Sequence, residues 1–224
     1  MAPVEVVADI FNIINMPLVH SEKIEETSTL LVWELTETEN ELWGMLDSPH
    51  NFSDLDTISH PQKKREWLAS RLLIKILTEE LGEIYKGTYK DDHGKVFLFH
   101  DNAHISITHT FDYVAAVLDP SKPVGIDMEK LDPKLQRTAK KFLNDQEFLH
   151  ASNDINLLAT YWCAKEAIYK LYGKNKVSFK DDITVSGFSS QDPLLSGSVN
   201  NGSETICCKF HMRWFDDYCL AIAI

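Results

Sequence analysis

The sequence predicts an α+β fold built as a fused pseudo-dimer of two similar subdomains, each a long helix packed on a small antiparallel sheet. Three observations predict it. The first is an internal echo: Trp67, Ala69 and Lys75 recur at the same offsets as Trp162, Ala164 and Lys170. Next, Tyr89-Lys90-Asp91-Asp92 recurs as Phe179-Lys180-Asp181-Asp182, and Phe111, Asp112 and Tyr113 recur as Phe215, Asp217 and Tyr218. The three echoes keep their order, which divides the chain into halves 1–119 and 120–224. The second observation is a strand-like alternation over 124–129, and the third a helical periodicity over 161–171. Two similar halves pack about a pseudo-two-fold axis and leave a cleft where they meet.

Taken in order, Glu22 to Glu26 reads as an acidic loop. Around Trp67 lies the first long helix. The apolar run from Tyr113 to Leu118 is far too short to span a bilayer. Val124, Ile126 and Met128 alternate with Gly125, Asp127 and Glu129, the period of a half-buried strand. Residues i and i+2 share a face, so both carboxylates point the same way, roughly 7 Å apart. Asp132 to Ser152 reads as one helix, broken by Asn153 and Asp154. In the helix that follows, Trp162, Lys165, Glu166, Tyr169 and Lys170 fall in one arc of about 140°. Ala164, Ala167, Ile168 and Leu171 take the opposite, core-facing side. Ser186 to Ser203 is rich in Ser, Gly and Asn and reads as turns and loops.

With 224 residues, 44% hydrophobic and 25% charged, the chain is of ordinary globular composition. A net charge of −12 argues against nucleic-acid binding. Residues 1–62 hold one base and twelve acids, whereas 122–180 hold eleven bases and seven acids. A basic face on an acidic protein suits a phosphate-rich ligand and an acidic protein partner. Lys134, Arg137, Lys140 and Lys141 are also what the wet side of a helix looks like. Four cysteines without a C-x-x-C point to reduced structural thiols. The start of the chain has no basic, apolar leader. A cytoplasmic monomer with no membrane association is expected.

Alone, the D-x-E pair is what many solvated strands show, and Glu166 with Lys170 has the spacing of a surface ion pair. Together the two segments carry more. Gly125-Ile126-Asp127-Met128-Glu129 followed by Trp162-Cys163-Ala164-Lys165-Glu166-Ala167-Ile168-Tyr169-Lys170 resembles the signature pair of the 4′-phosphopantetheinyl transferase family. A third family segment resembles Gly94-Lys95-Val96 and Ile105 to His109, with Val96 in place of Pro and Thr108 in place of Ser. The order and spacing are similar to the larger single-chain branch, the type that activates surfactin synthetase.

The resemblance implies transfer of the 4′-phosphopantetheine arm of coenzyme A to a serine of an acidic acyl or peptidyl carrier protein, releasing 3′,5′-ADP. Asp127, Glu129 and Glu166 would hold Mg²⁺, an ion that keeps several waters and is typically held by one or two carboxylates plus phosphate oxygens. Lys165 and Lys170 would pair with the pyrophosphate. Glu166 is the candidate base, with a hydroxide on the metal as competitor, and Lys170 its catalytic neighbour. His109 matches the family histidine at a coenzyme phosphate, and Thr108 would donate to the same phosphates. Arg65, Arg71 and Lys95 would reach the remote 3′-phosphate. The carrier would approach the basic 122–180 region, where Phe142, Leu143 and Phe148 either meet it or belong to the core, the second reading being the slightly stronger. Two readings compete: a Mg²⁺-dependent nucleotide phosphohydrolase with water as nucleophile, and a non-catalytic coenzyme A and carrier-binding module.

Overall fold

The computed structural model describes residues 18–46, 53–99, 102–174, 177–189, 192 and 194–224. Its architecture is mixed α+β with antiparallel sheets. The first sheet joins β1 (Leu18–Lys23), β2 (Thr29–Glu34), β5 (His104–His109) and β6 (Tyr113–Asp119) in the order β1-β2-β6-β5. The second joins β7 (Gly125–Lys130), β8 (Ile183–Val185), β9 (Leu195–Asn200), β10 (Thr205–Phe215) and β11 (Tyr218–Ala223) in the order β7-β11-β10-β9-β8. A small hairpin pairs β3 (Thr88–Lys90) with β4 (Val96–Leu98). Six helices lie among the described residues: α1 (Glu39–Leu46), α2 (Ser53–Thr57), α3 (Pro61–Glu80), α4 (Lys134–Phe142), α5 (Asp145–Ala151) and α6 (Ile155–Tyr172).

The long helices are stopped by local chemistry. Pro61 opens α3 with a φ already suited to a helix, and His60 accepts from the Gln62 amide in front of it. Asp154 caps α6 by accepting from the amides of Asn156 and Leu157, and Gly173 ends it at φ 68°.

Period-2 alternation sorts side chains between three cores. In β2, Leu31 and Trp33 face α3, while Leu30 and Val32 face away. In β6, Val114, Ala116 and Leu118 do the former, and Ala115 and Val117 the latter. In the second sheet, Cys219, Ala221 and Ala223 of β11 pack under α6, while Leu220 and Ile222 join Val124, Ile126 and Met128 against the first sheet. The layers run α3, first sheet, second sheet, α6. Each central strand is therefore buried on both faces and reads as a continuous apolar run. At Gly125 the strand comes so close to α6 that a Cβ would lie 2.0 Å from the Ala167 carbonyl oxygen.

Three expectations change. The single helix over 132–152 is two, because Asn144 and Glu147 form a reciprocal capping box that starts α5 afresh. The stretch expected as loops contains β9, whose small residues fit under Phe210 and Ile168 at Gly197. Glu22 lies within β1, where Arg213 grips its carboxylate through Nε at 2.9 Å and Nη2 at 2.5 Å. No helix among the described residues is long and apolar enough to cross a membrane.

Candidate active site

The edge strands β5 and β7 meet side by side, joined by side-chain hydroxyls instead of a peptide ladder. Ser106 Oγ accepts from the Ile126 amide at 3.0 Å, and Thr108 Oγ1 accepts from the Met128 amide at 3.1 Å. Thr108 also donates to Asp127 Oδ1 at 3.2 Å. A hydroxyl has one proton, so Thr108 orients the aspartate and has none left for a phosphate. This corrects its expected role.

Helix α6 lies over this seam. Lys170 Nζ donates to Asp127 Oδ1 at 2.8 Å, to the Ile126 carbonyl at 2.9 Å and to the Ile107 carbonyl at 3.3 Å. One ammonium thus ties both sheets to the carboxylate. Asp127 is 5% exposed, and its Oδ2 is buried with no hydrogen-bond partner. Glu129, half-buried, accepts from Trp162 Nε1 at 3.2 Å. The Trp162 ring is held between Phe142 and Phe179, at centroid distances of 5.0 and 5.6 Å. Burial pushes the Glu129 carboxyl up, with Asp127 adding to it. Burial, then the Asp127 charge, pushes Glu166 up to about 7, against an opposing pull from Lys170.

Three hard-oxygen groups, one with an orphaned oxygen and two, Glu129 and Glu166, with raised proton affinities, have the donor chemistry of a divalent-cation site. They are not drawn together in advance: among the described residues no group of three His, Cys, Asp or Glu side chains already converges at ligand distance.

Lys165 does not belong here. It is 0% exposed, and its ammonium meets Glu147 Oε2 at 2.7 Å and the carbonyls of Phe179 and Ile183 at 2.7 and 2.6 Å. The helical arc assigned it to the polar face correctly by angle. The segment around Phe179 and Ile183 folds over that part of the face, encloses the side chain and keeps it from any pyrophosphate.

A cavity of about 170 Å³ is lined by Lys95, Ser106 and Ile107 on one side and by Tyr169, Lys170 and Gly173, at the end of α6, on the other. Lys95 Nζ crosses it to the Leu171 carbonyl at 2.9 Å. A second cavity of about 440 Å³ shares Val96 and Ile107 with it and is lined by Lys63, Glu66, Arg71, Lys90 and His109. Arg71 is 7% exposed, with its guanidinium 4.4 Å over the Trp67 ring and Nη1 donating to Ser70. Its Nε is buried without a hydrogen-bond partner, which suits an incoming anion. Arg65 is not at this end: it lines neither cavity, and it donates to the carbonyls of Glu37 and Leu35 at 2.7 Å each. It braces the chain after β2.

Sequence reasoning missed Ser106 and Glu66. Ser106 carries a signal, standing two residues before Thr108 on the same strand face. Glu66 carries none, because its partner His109 is 43 residues away.

Residues 123–223 match the family model described as the 4′-phosphopantetheinyl transferase superfamily. A 4′-phosphopantetheinyl transferase of Bacillus subtilis is 31% identical over 96 residues, 37% of this chain and 42% of that one. The 4′-phosphopantetheinyl transferase Sfp of Bacillus subtilis (strain 168) is 26% identical over 149 residues, 62% of this chain and 66% of that one. The 4′-phosphopantetheinyl transferase ffp of Bacillus subtilis is 31% identical over 78 residues, 33% of this chain and 34% of that one. The matches thus span from 34% to 66% of these relatives' length.

Proposed function

We propose that this chain, which through residues 123–223 belongs to the 4′-phosphopantetheinyl transferase superfamily, moves the 4′-phosphopantetheine arm of coenzyme A onto a serine of an acidic carrier protein. The observation that carries this reading is the buried, unpartnered Asp127 Oδ2 beside Glu129 and Glu166 at the seam between two sheets, with cationic cavities leading away from it.

Asp127, Glu129 and Glu166 would hold Mg²⁺. When bound, it neutralises charge on the phosphate oxygens and stabilises the departing bisphosphate. The chain's own residues do the rest. Lys170 and Lys95 face the cavity between the halves and supply point charges to the pyrophosphate. Arg71 and His109 receive the remote phosphate in the neighbouring cavity. The serine oxygen forms a bond to phosphorus as the bond to the bridging oxygen breaks, and 3′,5′-ADP leaves. Glu166, with a carboxyl near 7 in the free protein, takes the serine proton.

The carrier docks beside Glu129, where a cavity of about 520 Å³ is lined by Lys130, Lys134, Lys141, Leu135, Phe142 and Trp162. Phe142 and Leu143 are core residues at 3% and 1% exposure, so of the three apolar positions expected at this face only Phe148 is presented to solvent. The two halves, 1–119 and 120–224, act as a fused pseudo-dimer in which one half holds the metal and the other supplies positive charge.

The test is intact-mass measurement of an apo carrier protein incubated with this protein, coenzyme A and Mg²⁺. A gain of one phosphopantetheinyl group is expected, and none without Mg²⁺. Consumption of coenzyme A with no carrier present, and no mass gain when it is added, would refute transfer in favour of hydrolysis.

A further inference from the structure

In the cavity that receives the remote phosphate, an acid stands among the bases. Glu66, on α3, has a side chain only 4% exposed, and its Oε2 lies 3.1 Å from His109 Nδ1 and 2.7 Å from Lys63 Nζ. Lys63 donates to that carboxylate oxygen, which can only accept. An acceptor this close to His109 Nδ1 favours the tautomer that carries its proton there. In the neutral ring Nε2 is then a bare lone pair, which repels a phosphate oxygen. In the imidazolium, Nε2–H donates to it.

We infer that Glu66 is a positioning residue: it fixes His109 through Nδ1 and lets the ring take up a proton as a phosphate arrives at Nε2. The inference rests on the coenzyme reading above. The charged groups facing the ring are Glu66 and Lys63 from α3 and Lys170 from α6, with Arg71 and Lys90 lining the same cavity. Loss of solvent around the ring, together with Lys63 and Lys170, lowers its proton affinity, while Glu66 opposes them. The free ring is accordingly neutral at pH 7.5. A phosphate dianion adds a second negative partner and reverses the balance. Affinity for a phosphate ligand should then rise as pH falls, down to the ligand's own second titration point at about 6. It should weaken by up to about tenfold per unit as pH rises between the free and bound titration points.

Calorimetric titration with adenosine 3′,5′-bisphosphate, without Mg²⁺, in two buffers of different ionisation enthalpy at pH 7.5 measures the protons taken up. Glu166 titrates near this range, so the deciding quantity is the difference between variants. The wild-type chain should take up a substantial fraction of a proton more than Glu66→Gln. That difference should vanish when Glu66→Gln is added to a His109→Gln background. Equal uptake by wild type and Glu66→Gln, or a difference that survives His109→Gln, overturns the assignment. Failure of the wild-type chain to bind the bisphosphate at all sinks the coenzyme reading itself, and this inference with it.

Discussion

Replacing Lys165 with Met separates a core strut from a phosphate ligand. The side chain is 0% exposed and paired at 2.7 Å with Glu147, itself 3% exposed. Glu147 also accepts from the Val185 amide at 2.9 Å and the Asn144 amide at 2.9 Å, so the pair ties α6 to the start of α5 and to β8. Removing one partner of such a pair strands the other charge and costs about 3–5 kcal/mol. With a urea dependence of about 2.5 kcal/mol per molar, the unfolding midpoint should fall by roughly 1–2 M. Lys165→Met with Glu147→Leu removes both charges and should recover part of this. It leaves the buried Val185 amide without an acceptor, at about 1–3 kcal/mol, so it should stay below wild type. Urea unfolding followed by tryptophan fluorescence gives the midpoints, and coenzyme titration of the folded variants gives affinity. A midpoint within about 0.3 M of wild type, together with weakened coenzyme binding, would refute the strut and restore Lys165 to the ligand site.

Asp127→Asn removes a charge from the carboxylate group and leaves Lys170 with a weaker acceptor; Mg²⁺-dependent transfer should fall by at least about a hundredfold, read by the intact-mass assay, while the circular dichroism spectrum stays unchanged. Gly125→Ala would press a methyl within 2.0 Å of the Ala167 carbonyl, so helix and strand must separate; a loss of several kcal/mol, roughly 3 or more, should appear as a lower melting temperature. Arg213 holds the Glu22 carboxyl down at about 2 from its ordinary 4.5. A depressed acid stabilises the fold above its unfolded titration point and loses that contribution as pH falls toward the folded one. Glu22→Gln should therefore destabilise at pH 7, and the difference from wild type should shrink between about pH 4.5 and 2, as measured by urea midpoints across that range.

The strand carrying Asp127 and Glu129 and the helix carrying Glu166 and Lys170 were legible because each keeps one period over its whole length. The core side of α6, with Ala164, Ala167 and Ile168, followed from the same periodicity. Lys165 was misread for a reason periodicity cannot supply. An arc on a helical wheel names a face, and whether a later segment covers that face depends on contacts such as Phe179 and Ile183 that are remote in sequence. Thr108 and Arg65 fail similarly: a hydroxyl and a guanidinium suit a phosphate, but a neighbouring carboxylate and two carbonyls engage them first. The Asn144 and Glu147 capping box was a local signal that a continuous helix reading passed over.

The hydroxyl seam between β5 and β7 has its own consequence. A peptide ladder is indifferent to side chains, whereas Ser106 and Thr108 each hold the two sheets by a single oxygen. With the Lys170 ammonium they form a polar clasp of a few atoms beside the apolar packing of the two sheets, and one substitution can delete part of it. A ligand lying along the seam adds a grip that the backbone does not, so the loaded protein should resist prying apart there more than the empty one. Occupancy becomes legible in mechanical cohesion as well as in turnover.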